Sequence, residues 1–183
     1  RKVSDIREVT LTTNGIGLAE RAAALQEAGL DRVNVSLDTL DPDVFGRITG
    51  RDRHGEVLEG IRAASEVFDL VKLNTVVLRG RNDGELPELV RFAGRRGLWI
   101  RFIEKYVSCG AAGKHEEMDV AAVEARLRSA FGRLVRLRTD PLSVERSYRV
   151  PAADDARVGL IAARAGPSCS DCSKLRLAAD GRL

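Results

Sequence analysis

The sequence predicts an α/β fold, a parallel sheet backed by helices and curling toward a barrel, followed by an appended α+β segment. Two observations lead there. A helical stretch, a small or turn residue and a strand recur in "LAERAAALQEAGLDRVNVSLD", "VLEGIRAASEVFDLVKLNTVV" and "LPELVRFAGRRGLWIRFIE", the βα repeat of a parallel sheet. The strands in these repeats also alternate polar with apolar side chains, whereas parallel strands are usually apolar on both faces.

The opening "EVTLTTNG" supplies the first strand. "TNGIG" ends it without a G-x-G-x-x-G run, so a dinucleotide fingerprint is not supported. Gly29 and Gly97 follow apolar residues at helical spacing and suit left-handed helix C-caps. In "DTLDPDVFGRITG", Asp41 serves as N-cap and Pro42 as first helical residue. "RGRNDGE" reads as a turn in which Asn82 or Asp83 caps the next helix. From Lys105 the rhythm changes. "KYVSCGAAGKHEEMD" is loop-like, "VAAVEARLRSAFG" is one amphipathic helix, and short strands are expected around "LVRLR" and "VGLIAA". The chain therefore divides into residues 1–105, the barrel part, and 106–183, an appended segment without a barrel repeat of its own.

Successive strand residues point to opposite faces. One face collects Thr10, Thr12, Asn34, Ser36, Lys72, Asn74 and Arg101. The other collects Val9, Leu11, Val33, Val35, Leu37, Leu73 and Val77, and should pack on the helices. Right-handed crossovers put those helices on one side. The polar face then either meets solvent as one side of an open sheet or lines a wet interior. Thr12-Thr13-Asn14, Ser36-Leu37-Asp38 and Arg101 to Glu104 gather at strand carboxyl ends, where barrels keep their sites. That favours the interior, and Lys72 with Arg101 inside it would suit a polyanion.

The composition limits what such a cavity could serve. The chain has 183 residues, 44% hydrophobic and 31% charged, enough for one core. No apolar run reaches membrane-spanning length, and nothing resembles an export leader, so a cytoplasmic protein off the membrane is expected. The net charge of +3 is mild and aromatic residues make up 4%, poor material for stacking nucleic-acid bases. Both ends read as cut, because Arg1 stands where a methionine would begin a chain and "KLRLAADGRL" starts a hairpin it does not finish.

Cys169-x-x-Cys172 is the sharpest chemical signal, since such a pair can bind one side of a zinc ion or an iron–sulfur cluster. Two unrelated buried thiols are the plain alternative. Lys174 and Arg176 alternate along a strand just beyond the pair, so both cations share a face. Cys109, in "VSCGAAGK", reads as a free thiol. His54 and His115 lie beside charged residues in loops, lack ligand spacing, and read as surface residues.

Taken in order, "LTTNG", "LQEAGLDRVNVSLDTLDPDVFGRITGRD", "VLEGI", "VKLNTVVLRGRNDGE", "IRFIE" and "CSDCSKLRLAADGRL" resemble the GTP 3′,8-cyclase family of radical S-adenosylmethionine (SAM) enzymes, which act in molybdenum cofactor biosynthesis. The resemblance spans nearly the whole chain. It implies a partial (β/α) barrel of the radical SAM type with an appended C-terminal α+β segment carrying part of a second iron–sulfur site. It also implies two [4Fe-4S] clusters and a lyase reaction. SAM is cleaved to a deoxyadenosyl radical, and GTP becomes 3′,8-cyclo-7,8-dihydroguanosine 5′-triphosphate.

Carried over by position, Cys169 and Cys172 match two of the three ligands of the substrate-side cluster. The third is expected beyond Leu183, and the radical cluster's three before Arg1. Thr12, Lys72, Arg101, Lys174, Leu175 and Arg176 match GTP contacts, and Ser36 and Tyr106 match SAM contacts. Where the family commonly has an "FMPVG"-like stretch this chain has "KYVSCG", and a lysine stands at 174 where arginine is commoner. Implied partners are GTP, SAM, the next enzyme of the pathway (cyclic pyranopterin monophosphate synthase) and a second copy as a homodimer, with no nucleic acid and no membrane. Two other readings stay open: a radical SAM enzyme of different substrate with an auxiliary cluster, and a zinc-stabilised nucleotide-binding module completed by Cys109.

Overall fold

The computed structural model describes residues 5–105, 117–138, 145–162 and 177–182. Elements alternate from the start: β1 (Thr10–Thr13), α1 (Ala22–Glu27), β2 (Arg32–Ser36), α2 (Pro42–Thr49), α3 (His54–Val67) and β3 (Val71–Val77). A single 3-10 turn at Asp83–Glu85 then leads into α4 (Leu86–Gly94), followed by β4 (Trp99–Glu104), α5 (Val120–Phe131), β5 (Val135–Arg136), β6 (Glu145–Val150) and β7 (Ala156–Ile161). The strands form one sheet in the order β1-β2-β3-β4-β7-β6-β5. Pairing is parallel from β1 to β4 and from β4 to β7, then antiparallel through β6 to β5.

The helices form where the sequence places apolar residues on one stripe. In α4, Leu86, Leu89, Val90 and Ala93 are buried at i, i+3, i+4 and i+7. In α5, Val120, Val123, Leu127 and Phe131 are buried at i, i+3, i+7 and i+11 behind an Asp119 cap whose carboxylate accepts from Ala122 N. Asp41 caps α2 as expected, accepting from the amides of Asp43 and Val44. Gly29 and Gly97 take φ of +94° and +65°, and the following amides reach back to Leu25 O and Ala93 O to close the helix ends. The stripes pack on Val33, Val35 and Leu37 of β2 and its exit, Leu73 and Val77 of β3, Ile100 and Phe102 of β4, and Val158 and Leu160 of β7. Helix α3 approaches the β1–α1 turn closely. A Cβ on Gly60 would stand 2.6 Å from Gly15 O, so that contact requires glycine.

Four expectations need correction. The chain beyond Lys105 does carry a barrel-type repeat, because α5 leads, through the β5–β6 pair, into β7, which lies parallel beside β4. Its register with β4 puts Val158 and Leu160 under the helices, so burial selects that position. Val9 precedes β1 and is 38% exposed, so it does not join the apolar face. His54 is a buried residue opening α3, with its ring 5.2 Å from that of Phe45 and Nε2 3.2 Å from Thr39 O. Asn82 makes no helix cap. Fully buried, it accepts from Leu78 N and donates to Asp38 O and Val76 O, tying the β2 and β3 exits together.

At the C-terminal side the expected Asp-Gly turn is present. Gly181 has φ of +84°, and Ala178 N donates to Arg182 O.

Candidate functional site

With the apolar side chains under the helices, the opposite face of the sheet gathers the polar ones in two rows. Thr12, Asn34, Lys72, Trp99 and Arg157 lie side by side across β1, β2, β3, β4 and β7. Two residues further toward the carboxyl ends of the parallel strands, Ser36, Asn74, Arg101 and Gly159 form the second row, which Ser147 of the antiparallel β6 extends. The two-residue period of the strands puts both rows on one face. Thr12, Ser36, Lys72 and Arg101, which the sequence singled out, therefore stand together.

Contacts within the rows fix several of these side chains. Asn34 Nδ2 donates to Thr12 Oγ1 at 3.1 Å. Arg101 Nε donates to Asn74 Oδ1 at 2.9 Å, and its Nη1 lies 3.9 Å from Glu145 Oε2. Ser147 Oγ donates to the other oxygen of Glu145 at 2.8 Å. Trp99 carries a cation on each side, with Lys72 Nζ 4.5 Å and the Arg157 guanidinium 4.8 Å from its ring. At the amino end of the strands Arg32 holds Glu8 through two hydrogen bonds of 2.6 and 2.8 Å.

The electrostatics of this face favour an anionic guest. Burial lowers the pKa of Lys72, and repulsion from Arg101 adds to the shift. Burial likewise lowers that of Arg101, against an opposing pull from Glu145. Both side chains are thus partly desolvated cations whose charged forms a nearby anion would stabilise. Asn34 is 8% exposed, and its Oδ1 is the buried side-chain oxygen that lacks a hydrogen-bond partner among the described residues. An orphaned acceptor between a hydroxyl and a lysine suits a polar ligand carrying donors as well as charge.

The carboxyl-end loops are braced separately. Asp38 Oδ1 accepts from Val76 N at 2.8 Å, while burial raises its carboxyl pKa. Glu85 accepts from Thr39 Oγ1 at 2.6 Å and from Leu40 N at 2.9 Å. The exits of β2 and β3 are therefore held from both sides, which keeps Ser36 and Asn74 in place.

Tyr106, Cys109, His115, Cys169, Cys172, Lys174, Leu175 and Arg176 lie outside the described residues. Among those described, no three His, Cys, Asp or Glu side chains gather as a metal site would require. Sequence reasoning missed Trp99, Arg157, Gly159 and Glu145. Trp99 was within reach, being two residues before Arg101 on the same strand face. Glu145 had no local signal, because its placement depends on β6 joining the sheet.

A family model described as the radical SAM superfamily matches residues 1–93. Among similar proteins is a GTP 3′,8-cyclase from Streptomyces coelicolor, 44% identical over 179 residues, covering 96% of this chain and 52% of that protein. Another, from Marinobacter nauticus, is 38% identical over 182 residues and covers 97% of this chain and 54% of its own. The chain thus spans about half the length of the curated relatives it matches. A radical SAM methyltransferase from Sphaerobacter thermophilus superposes with a TM-score of 0.53 at 19% identity, over 66% of this chain and 36% of that one. That likeness concerns the fold, a partial barrel of the same type. No helix among the described residues is long and apolar enough to cross a membrane.

Proposed function

The chain belongs to the radical SAM superfamily, and on that premise we propose that it works as part of a GTP 3′,8-cyclase, a lyase of molybdenum cofactor biosynthesis. The observation that carries the reading is the polar sheet face. Lys72 and Arg101 stand there as partly buried cations beside Thr12, Asn34 and Asn74, and a triphosphate of roughly four negative charges would satisfy them. The similarity to proteins named GTP 3′,8-cyclase supports the choice of nucleotide.

In this reading residues 1–105, extended by β7 beside β4, form the partial barrel, and the rest of 106–183 completes the substrate side. Thr12, Lys72, Arg101, Lys174 and Arg176, with the Leu175 backbone, hold GTP. Ser36 and Tyr106 hold SAM, and Cys169 with Cys172 hold part of the second [4Fe-4S] cluster. When bound, SAM and the clusters supply the one-electron chemistry that removes a ribose hydrogen. The chain's own residues do the positioning. Arg101, fixed through Nε by Asn74, presents its remaining guanidinium donors to phosphate. Lys72 leaves the Trp99 face to meet a second phosphate. Thr12 and Asn34 offer hydroxyl and amide groups to the ribose side. Anchoring the phosphates at the cations keeps the sugar at one height above the strand ends, as a near-attack geometry needs. The product is an isomer of GTP, passed on to cyclic pyranopterin monophosphate synthase in the cytoplasm, and the protein pairs as a homodimer.

The full-length protein, reconstituted anaerobically with iron and sulfide and supplied with SAM, a strong reductant and GTP, tests this. We expect 5′-deoxyadenosine together with a nucleotide of unchanged mass and altered retention. Deoxyadenosine formed while GTP stays intact would point to a different radical SAM substrate. Zinc in place of iron would remove the cluster assignment altogether.

A further inference from the structure

A carboxylate from the antiparallel end of the sheet stands beside Arg101 on the polar face. Glu145 enters from β6, and its Oε2 lies 3.9 Å from Arg101 Nη1 while Ser147 holds Oε1 at 2.8 Å. The two side chains are 15% and 16% exposed, so water screens their mutual field weakly. Its negative charge also favours the charged forms of Lys72 and Arg32. Arg32 is paired first with Glu8, but all three cations of β2, β3 and β4 on this face also feel the acid contributed by the antiparallel end of the sheet.

Glycine at position 159 makes the meeting possible. Gly159 lies between Arg101 of β4 and Ser147 of β6 in register. A Cβ there would stand 2.5 Å from Glu145 Oε1 and 3.0 Å from Arg101 Cγ. The bare backbone leaves the space in which the guanidinium and the carboxylate approach each other.

We propose that Glu145 is an internal counter-anion of the nucleotide site, competing with the substrate's phosphates for Arg101 and Lys72 and so setting how tightly a triphosphate binds. The inference rests on the nucleotide reading above and adds a residue to it. Arg101 does not need Glu145 for its position, since Asn74 already accepts from its Nε. What Glu145 contributes is charge. It offsets part of the cations' charge when phosphate is away and repels phosphate when it arrives. Glu145 is a tuning residue, and its removal should strengthen binding where loss of an ordinary structural contact would weaken it.

Three variants of the full-length protein separate these outcomes, with binding of GTP and of inorganic tripolyphosphate measured by titration calorimetry and folding checked by thermal melting. Glu145→Gln keeps the shape and the Ser147 contact while removing the charge. It should bind both ligands roughly tenfold more tightly, as a unit charge about 7 Å away at intermediate dielectric implies. Glu145→Asp keeps the charge and should stay within about threefold of the parent. Gly159→Ala should push the Glu145 carboxylate, the group nearest the added Cβ, away from Arg101, which Asn74 holds, and so tighten binding of both ligands by less than Glu145→Gln does. Unchanged or weaker binding by a folded Glu145→Gln protein overturns the counter-anion role and leaves the nucleotide reading standing. If the parent protein binds neither GTP nor tripolyphosphate, the nucleotide reading fails and takes this inference with it.

Discussion

Replacing Arg101 by alanine in the full-length protein should weaken GTP binding about a hundredfold. The magnitude follows from where the side chain sits. At 15% exposure its guanidinium is largely out of water, so a phosphate oxygen at about 4 Å gains on the order of 4 kcal/mol at an effective dielectric of 20. Part of that gain is offset by separating the Arg101–Glu145 contact on binding, because the guanidinium exchanges one anion for another. A net loss of about 3 kcal/mol on truncation remains, inside the range for desolvated charge pairs, and each 1.4 kcal/mol is a factor of ten. Arginine to lysine keeps one charge but loses the Nε bond to Asn74 and the forked geometry, so about tenfold is expected. Titration calorimetry at fixed salt reads both, with a thermal melt to confirm folding. Were Arg101 an ordinary rim cation, the alanine variant would cost less than about 1 kcal/mol, or under fivefold. That result in a folded protein would refute the desolvation argument.

Two further outcomes follow from the same geometry. Because burial and Arg101 lower the pKa of Lys72 below that of an ordinary lysine, GTP affinity should be level at neutral pH and decline through that depressed pKa as the ammonium is lost. Folding stability should move the other way in that window, rising with pH because the unfolded lysine still holds its proton; Lys72→Arg should abolish both slopes. Asn82→Ala should lower unfolding free energy by about 2–4 kcal/mol in urea, since Leu78 N, Asp38 O and Val76 O all lose their partner in a fully buried place. A loss under 0.5 kcal/mol would mean that the loops at the β2 and β3 exits do not depend on it.

Much of the sheet was readable because its signals are local. Alternation in "RVNVS" and "VKLNTVV" places Asn34, Lys72 and Asn74 on one face, and the C-cap glycines mark where two helices stop. What escaped depends on distant partners. Nothing in "ERSYRV" announces that it will lie antiparallel to a strand that itself runs beside Trp99 and Arg101. Glu145 consequently could not be foreseen opposite Arg101. His54 reads as a surface residue from its charged neighbours, yet Phe45 and the Thr39 carbonyl enclose it. Asn82 reads as a cap from its turn context, yet three backbone groups converge on its amide. In each case a polar residue took its role from elements brought together by the fold. For the same reason the far end of the second row, where Glu145 reaches Arg101 over Gly159, is the part of the candidate site least visible in the chain.

The central claim is that the polar face of the sheet is where the nucleotide's phosphates bind, and lysine footprinting tests it most directly. The full-length protein is treated with an amine-acylating reagent with and without saturating GTP, and modification at Lys72 is read by peptide mass spectrometry. Strong protection of Lys72 by GTP, matched by tripolyphosphate and absent with guanosine, is the predicted result. Equal labelling of Lys72 under conditions where calorimetry shows GTP bound would contradict it and place the nucleotide elsewhere.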